Sequence, residues 1–83
     1  MNKSDLRAYV EEQTNIAAQR IIDKGTTSDE LAVSRLNVLL SLRRSLDGKT
    51  TAQDLGMWGT INDALQQIGI LNSQETIFSR LQS

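Results

Sequence analysis

The chain of 83 residues contains no histidine, no cysteine and no proline, and few of its residues are aromatic. Without histidine and cysteine it lacks the usual general base, the thiol nucleophile and the ligands of most zinc and haem sites. Disulfides are excluded as well, so stability has to come from packing of the 39% of residues that are apolar. At this length we expect a single helical domain over 1–83.

Charge and hydropathy argue against two further classes of partner. Nine basic against ten acidic residues give a net charge of −1, so no strong overall field draws the chain to nucleic acid or to a membrane surface. The longest stretch without a charged residue, 64–74, is shorter than the roughly 20 residues of a membrane span. Lys3, Asp5 and Arg7 stand where a secretory signal would carry its apolar segment. We therefore expect a cytoplasmic protein of a bacterial or phage kind, without a membrane partner.

Glycines and capping residues divide the chain into four predicted helices. Glycine ends helices readily because it adopts a positive φ at little cost, and three glycines each follow a helical pattern: Gly25, Gly48 and Gly69. Side chains that cap a helix N-terminus precede the patterns: Ser4, the capping box at 27–30, Thr51 with Asp54, and the box at 72–75. The spacing predicts helices at 4–24, 28–47, 51–68 and 73–82.

The predicted architecture is all-α, a compact antiparallel bundle of four helices whose last helix is short. Short connections make neighbouring helices pack antiparallel. The second helix is expected at the centre, because its polar stripe covers only about 100° of its circumference at the helical period. The rest of it is apolar: Leu31, Ala32, Val33, Leu36, Val38, Leu39, Leu40, Leu42 and Leu46. If the other helices of one chain do not cover this arc, we expect a second chain to cover it.

Arginines interrupt these apolar arcs. Arg43 falls in the middle of the arc of the second helix, Arg35 lies between Leu42 and Leu46, and Arg20 lies within the apolar face of the first helix. A buried unpaired charge is very costly, so each arginine has to be paired, to reach water, or to meet a partner molecule. Two interpretations stay open: the heads reach water along their aliphatic stems, or the arginines form a polar seam that fixes the register of a dimer or docks a carboxylate-bearing partner.

The single tryptophan, Trp58, also has two interpretations. It anchors the core of its own chain, or it is an exposed aromatic anchor of the kind enriched at protein interfaces. Together with Arg20, Arg35 and Arg43 it completes the set of candidate interface residues.

No motif for catalysis, metal or cofactor binding is present. The adjacent carboxylates at 11–12 and 29–30 point about 100° apart on a helix, so neither pair converges on one atom. Glycine-rich phosphate loops, EF-hand loops and the Gly-x-Ser-x-Gly nucleophile motif are all missing. We therefore expect a protein that is not an enzyme and that uses no cofactor.

One short run favours a different class. The run 51–58 (TAQDLGMW) is similar to the first helix and turn of the helix-turn-helix in Cro-like phage repressors, where a small residue packs between the helices and a glycine permits the turn. The resemblance implies a DNA-binding transcriptional regulator that uses residues 50–68. Its expected DNA contacts are phosphate-binding cations and two residues of the reading helix: Arg43, Arg44, Lys49, Asn62 and Gln66.

The favoured interpretation is a non-enzymatic protein–protein interaction module, because cations embedded in apolar faces and an over-wide apolar arc point to a protein surface. It is expected to form a homo-oligomer or to dock onto a larger protein. Phage-encoded inhibitors, assembly factors and virion accessory proteins offer an analogy of size and character.

Overall fold

A computed structural model describes residues 2–25 and 29–81, and this part of the chain is helical and contains no strand. Three α-helices are followed by one turn of 3₁₀ helix: α1 (Lys3–Lys24), α2 (Glu30–Leu46), α3 (Ala52–Gln67) and the turn Phe78–Arg80. The all-helical prediction is confirmed, and the first three predicted helices agree with α1, α2 and α3 to within two residues at each end. None of the helices in the two described ranges is both long and apolar enough to cross a membrane.

The predicted four-helix bundle is not confirmed, because the described part of 73–82 contains only the 3₁₀ turn. The box at 72–75 does form capping bonds, and the amide of Asn72 donates to Glu75 Oε1 at 2.9 Å. Beyond it, however, side chains accept the amides that would otherwise start a helix. Asn62 of α3 takes the amide of Ile77 at 3.0 Å, and the amide of Ser79 is bound by a neighbouring hydroxyl at 3.0 Å. The segment is therefore held as a series of turns along α3.

Two of the three helices begin with a complete capping box. The Asp5 amide donates to Asn2 Oδ1 at 2.8 Å and the Asn2 amide donates back to Asp5, so α1 is capped by Asn2 and the prediction of Ser4 is wrong. Asn2 takes the Asp5 amide, so the helix starts one residue before Ser4, and Ser4 lies within its first turn. At α3 the predicted pair is confirmed, since Thr51 and Asp54 exchange both bonds.

The cap of α2 differs from the prediction. Asp29 caps this helix by accepting the Ala32 amide at 3.0 Å, so the helix begins at 30 rather than 28. Thr27, the predicted cap, lies outside the described residues. The three glycines that were predicted to end helices all have a positive φ, between 63° and 81°.

The first two helices form an antiparallel hairpin. The side-chain pairs between them show the antiparallel direction, because residue numbers rise along α1 as they fall along α2. Arg7 pairs with Asp47, Glu11 with Arg43, Gln13 with Arg35, and Arg20 with Asp29. The buried side chains between the helices repeat every three or four residues, as two facing helical stripes require: Val10, Thr14 and Ala17 of α1, and Ala32 and Leu39 of α2. The Thr14 hydroxyl is satisfied within its own helix by the Val10 carbonyl.

The third helix packs on the side of α2 that faces away from α1. Ser41, which contacts α3, is nine residues beyond Ala32, which faces α1, and nine residues at 100° each amount to half a turn. In the described part of the chain, the tertiary hydrogen bonds of α3 go to α2 and to the C-terminal segment. The helix α2 therefore lies between α1 and α3, and its two flanks stay open.

This arrangement makes the molecule elongated. It measures 45 × 25 × 22 Å, and its radius of gyration is 14.5 Å, whereas a compact domain of this length has about 12 Å. The predicted compact bundle is not confirmed, since α1 and α2 form the main helix–helix contact in the described part of the chain and α3 is attached to α2 mainly through side chains.

Candidate interaction surface and the Asp54 network

A buried carboxylate joins α2 to α3. The side chain of Asp54 is only 3% exposed. Its Oδ1 accepts the Ser41 hydroxyl and Arg44 Nη2, both at 2.7 Å, while Oδ2 accepts Arg44 Nε at 2.7 Å and the Thr51 amide at 3.0 Å. The guanidinium thus meets the carboxylate in the two-pronged geometry that gives the strongest ion pairs.

These donors determine the charge state of Asp54. The Arg44 guanidinium, followed by the Thr51 amide and the Ser41 hydroxyl, holds the pKa of Asp54 well below its usual range. The same hydrogen bond raises the pKa of Arg44. Both groups keep their charge at neutral pH, and a carboxylate this acidic is a poor general base. The pair is therefore suited to fixing α3 on α2 rather than to proton transfer.

Trp58 extends this set of contacts to the C-terminal segment. Its Nε1–H donates to Ser41 Oγ at 2.9 Å, so one hydroxyl accepts from the indole and donates to Asp54. The indole also meets the ring of Phe78 edge-on, with the ring centres 5.5 Å apart. We call Ser41, Arg44, Thr51, Asp54 and Trp58 the Asp54 network. Trp58 is buried in its own chain, which is the first of the two interpretations that the sequence left open.

One side of the α1–α2 hairpin has an open apolar surface. Two shallow grooves, of about 270 and 420 Å³, adjoin there and share Leu31 and Arg35. Four large apolar side chains on this side are 42–68% exposed: Tyr9, Ile16, Leu31 and Val38. We call this side the hairpin face, defined by Tyr9, Gln13, Ile16, Arg20, Leu31, Arg35, Val38 and Leu42.

Two of the three candidate interface arginines lie on the hairpin face. Arg35 crosses its middle and donates from Nη2 to Gln13 Oε1 at 3.1 Å. Arg20 lies at the end nearest the α1–α2 connection, mostly exposed, with Nε 4.0 Å from Asp29 Oδ2. Both have an intramolecular partner and both remain accessible to a second molecule.

Arg43 lies along the contact between α1 and α2. Its Nη2 donates to Glu11 Oε2 at 3.2 Å, and its Nε lies 2.8 Å from Glu11 Oε1 without the alignment of a hydrogen bond. The charge in the middle of the apolar arc is therefore paired across the hairpin in its own chain.

The segment with the helix-turn-helix resemblance is one continuous helix. No turn forms at Gly56, and α3 runs from Ala52 through Gln67, so the predicted helix at 51–68 is confirmed and the turn that the resemblance implied is absent. A glycine inside a helix costs about 1 kcal/mol relative to alanine. Here Asp54 and Trp58, both anchored to α2, lie on either side of Gly56 and hold the helix together.

The residues expected to contact DNA are engaged elsewhere, except one. Arg43 and Arg44 are paired with carboxylates, as described above. Asn62 accepts the Ile77 amide, and Gln66 donates to the Glu75 carbonyl at 2.7 Å. Only Lys49 among the five is exposed without such a bond in the described part of the chain.

The Asp54 network was not predicted, although its local half was visible as the pair of Thr51 and Asp54. Ser41 and Arg44 stand three residues apart on the polar stripe of α2, which was the remaining signal in the sequence.

Residues 2–25 and 29–81 hold no group of three or more metal-ligating side chains. Comparison with protein-family models, with curated proteins and with solved structures found no match to this chain.

Proposed function

We propose that the protein is a non-enzymatic protein–protein interaction module that works as a homo-oligomer. The supporting observation is the amount of surface that a single chain leaves uncovered. The accessible surface is 5851 Å², whereas a compact monomer of 9.2 kDa exposes about 4,900 Å². The excess of roughly 900 Å² per chain is close to the roughly 800 Å² that each partner contributes to an interface of standard size.

Part of the exposed apolar surface lies on α2, where the sequence analysis expected it. Leu31, Val33 and Val38, all on α2, are among the exposed large apolar side chains. They lie on the flanks of α2, which α1 and α3 leave open because they pack on opposite sides of it. Contiguous exposed apolar surface on a small protein marks a binding surface.

A protein surface is favoured over DNA as the partner. Binding to DNA draws its affinity from cations that are free to neutralise phosphates. Arg43 and Arg44 are instead bound to carboxylates of their own chain, and Arg44 helps to hold α3 in place.

The test is the molar mass of the purified protein, measured by sedimentation equilibrium from micromolar to millimolar concentration. We expect the mass to rise from 9.2 kDa towards a whole multiple of it. A mass that stays at the monomer value over the whole range would contradict the proposal. A gel shift with random duplex DNA at low salt is the second measurement, and strongly salt-dependent binding there would favour the regulator instead.

A further inference from the structure

We infer that the hairpin face is the surface of self-association, and that it pairs antiparallel with the same face of a second copy about a two-fold axis. This inference rests on the proposed function and names the partner and the orientation. Its first support is continuity, since the two grooves on this face share Leu31 and Arg35 and form one surface. The centre of the face is polar, with Arg35 bound to Gln13, and apolar side chains lie on both sides of it.

The second support is the match of area. The whole chain exposes roughly 900 Å² more than a compact monomer of its mass, and two copies together therefore have enough excess surface for a dimer interface of standard size. The face also has the composition of an interface centre, with apolar side chains, one aromatic residue and arginine. A symmetric dimer needs only this one face, because each copy contributes the same residues.

The third support is charge complementarity, and it determines the orientation. One stripe of residues along α1 borders the face, and each residue of the stripe is three or four positions after the one before it. The stripe consists of Asp5, Tyr9, Glu12, Ile16 and Arg20. The stripe has an acidic end at Asp5 and a basic end at Arg20, with Glu12 near its middle. An antiparallel pairing with its axis between Glu12 and Gln13 places Arg20 opposite Asp5 and Tyr9 opposite Ile16, twice over.

A parallel pairing of the same stripe has the opposite effect. It places Arg20 against Arg20 and Asp5 against Asp5, and like charges at an interface are strongly unfavourable. The antiparallel axis also brings each Glu12 carboxylate towards Arg35 of the other copy. The antiparallel pairing is therefore the one that joins opposite charges at both ends of the stripe, while it also brings the two Glu12 carboxylates near each other at the axis.

The surface is tested with two matched substitutions. Leu31 on the hairpin face and Ile22 on the far side of α1 are equally exposed, 68% and 69%. We expect Leu31→Gln to weaken dimerisation at least tenfold, because each dimer loses two apolar side chains from the interface. Ile22→Gln is expected to leave the dimer unchanged, and far-UV circular dichroism checks that both variants stay helical.

The orientation is tested with single cysteines and a short bis-maleimide linker, which is possible because the chain has no cysteine of its own. The Glu12→Cys variant is expected to link to itself across the axis. The Arg20→Cys variant is expected to link only when mixed with Asp5→Cys. Linking of Arg20→Cys to itself would overturn the antiparallel orientation.

The outcomes separate this inference from the proposed function. A dimer that survives both Leu31→Gln and Ile22→Gln with unchanged affinity overturns the hairpin face and leaves self-association standing. A wild-type chain that is monomeric at every concentration overturns both.

Discussion

The hydrogen bond from Trp58 to Ser41 is buried between α2 and α3, and Trp58→Phe removes its donor while keeping an aromatic ring against Phe78. The Ser41 hydroxyl loses its indole donor but still donates to Asp54, so the cost is that of one hydrogen bond, about 0.5–1.5 kcal/mol. The smaller ring adds the cost of an incompletely filled space. We expect Trp58→Phe to lower the free energy of unfolding by about 2–3 kcal/mol.

The size of the pairwise interaction comes from a double-mutant cycle with Ser41→Ala. Ser41→Ala leaves the indole N–H without an acceptor, so each single variant damages the same bond. The double variant is expected to lose about 1 kcal/mol less than the sum of the two single variants. Additive losses, to within about 0.5 kcal/mol, would show that the bond does not connect the two helices energetically.

The assay is urea unfolding followed by circular dichroism at the helix band. Fluorescence is unsuitable because Trp58 is the single tryptophan and the substitution removes it. Protein concentration is held constant, since self-association adds to the apparent stability. Leu55→Ala, on an exposed position of α3, serves as the control and is expected to change little.

Three further predictions follow from the packing and the charges. Val10→Ala, at a buried core position, is expected to cost about 1–3 kcal/mol in urea unfolding, and Val33→Ala, at an exposed position, clearly less; equal losses would contradict the assigned core. The folded-state pKa of Asp54 lies below that of the unfolded chain, so its stabilisation is complete above about pH 5 and is lost as the pH falls further. Asp54→Asn should remove this part of the acid destabilisation, and an unchanged pH profile would be evidence against it. Arg43→Gln and Glu11→Gln are each expected to lower the free energy of unfolding by at most about 1 kcal/mol, because the ion pair is partly exposed. Thermal melts measure this loss, and a much larger one would mean that the pair is better shielded than the structure indicates.

Local signals were sufficient to predict most of the secondary structure. Gly25 and Gly48 end helices as expected, and the pair of Thr51 and Asp54 starts α3 where it was predicted. The failure at 73–82 has a tertiary cause, because Asn62 of α3 accepts the amide of Ile77. A capping box predicts only that a first helical turn can start at that point. Whether the helix continues depends on tertiary contacts, which the local sequence does not contain.

The candidate site was predictable in part for the same reason. The apolar circumference of α2 is a property of its own residues, and the exposure of Leu31 and Val38 agrees with it. The bonds from Ser41 and Arg44 to Asp54 span 13 and 10 residues, and they depend on how α3 lies against α2. The resemblance at 51–58 misled for a related reason, since it described a turn at Gly56 that the attachment of α3 to α2 prevents.

The double use of Asp54 has a consequence for folding. The same carboxylate starts α3, by accepting the Thr51 amide, and attaches it, by binding Arg44. We therefore expect the winding of α3 to be coupled to its docking, so that the amides at the start of α3 and at the end of α2 become accessible to deuterium together. If α3 started one residue earlier or later, the Arg44 guanidinium would lose the Asp54 carboxylate. The ion pair therefore allows a single starting residue for α3.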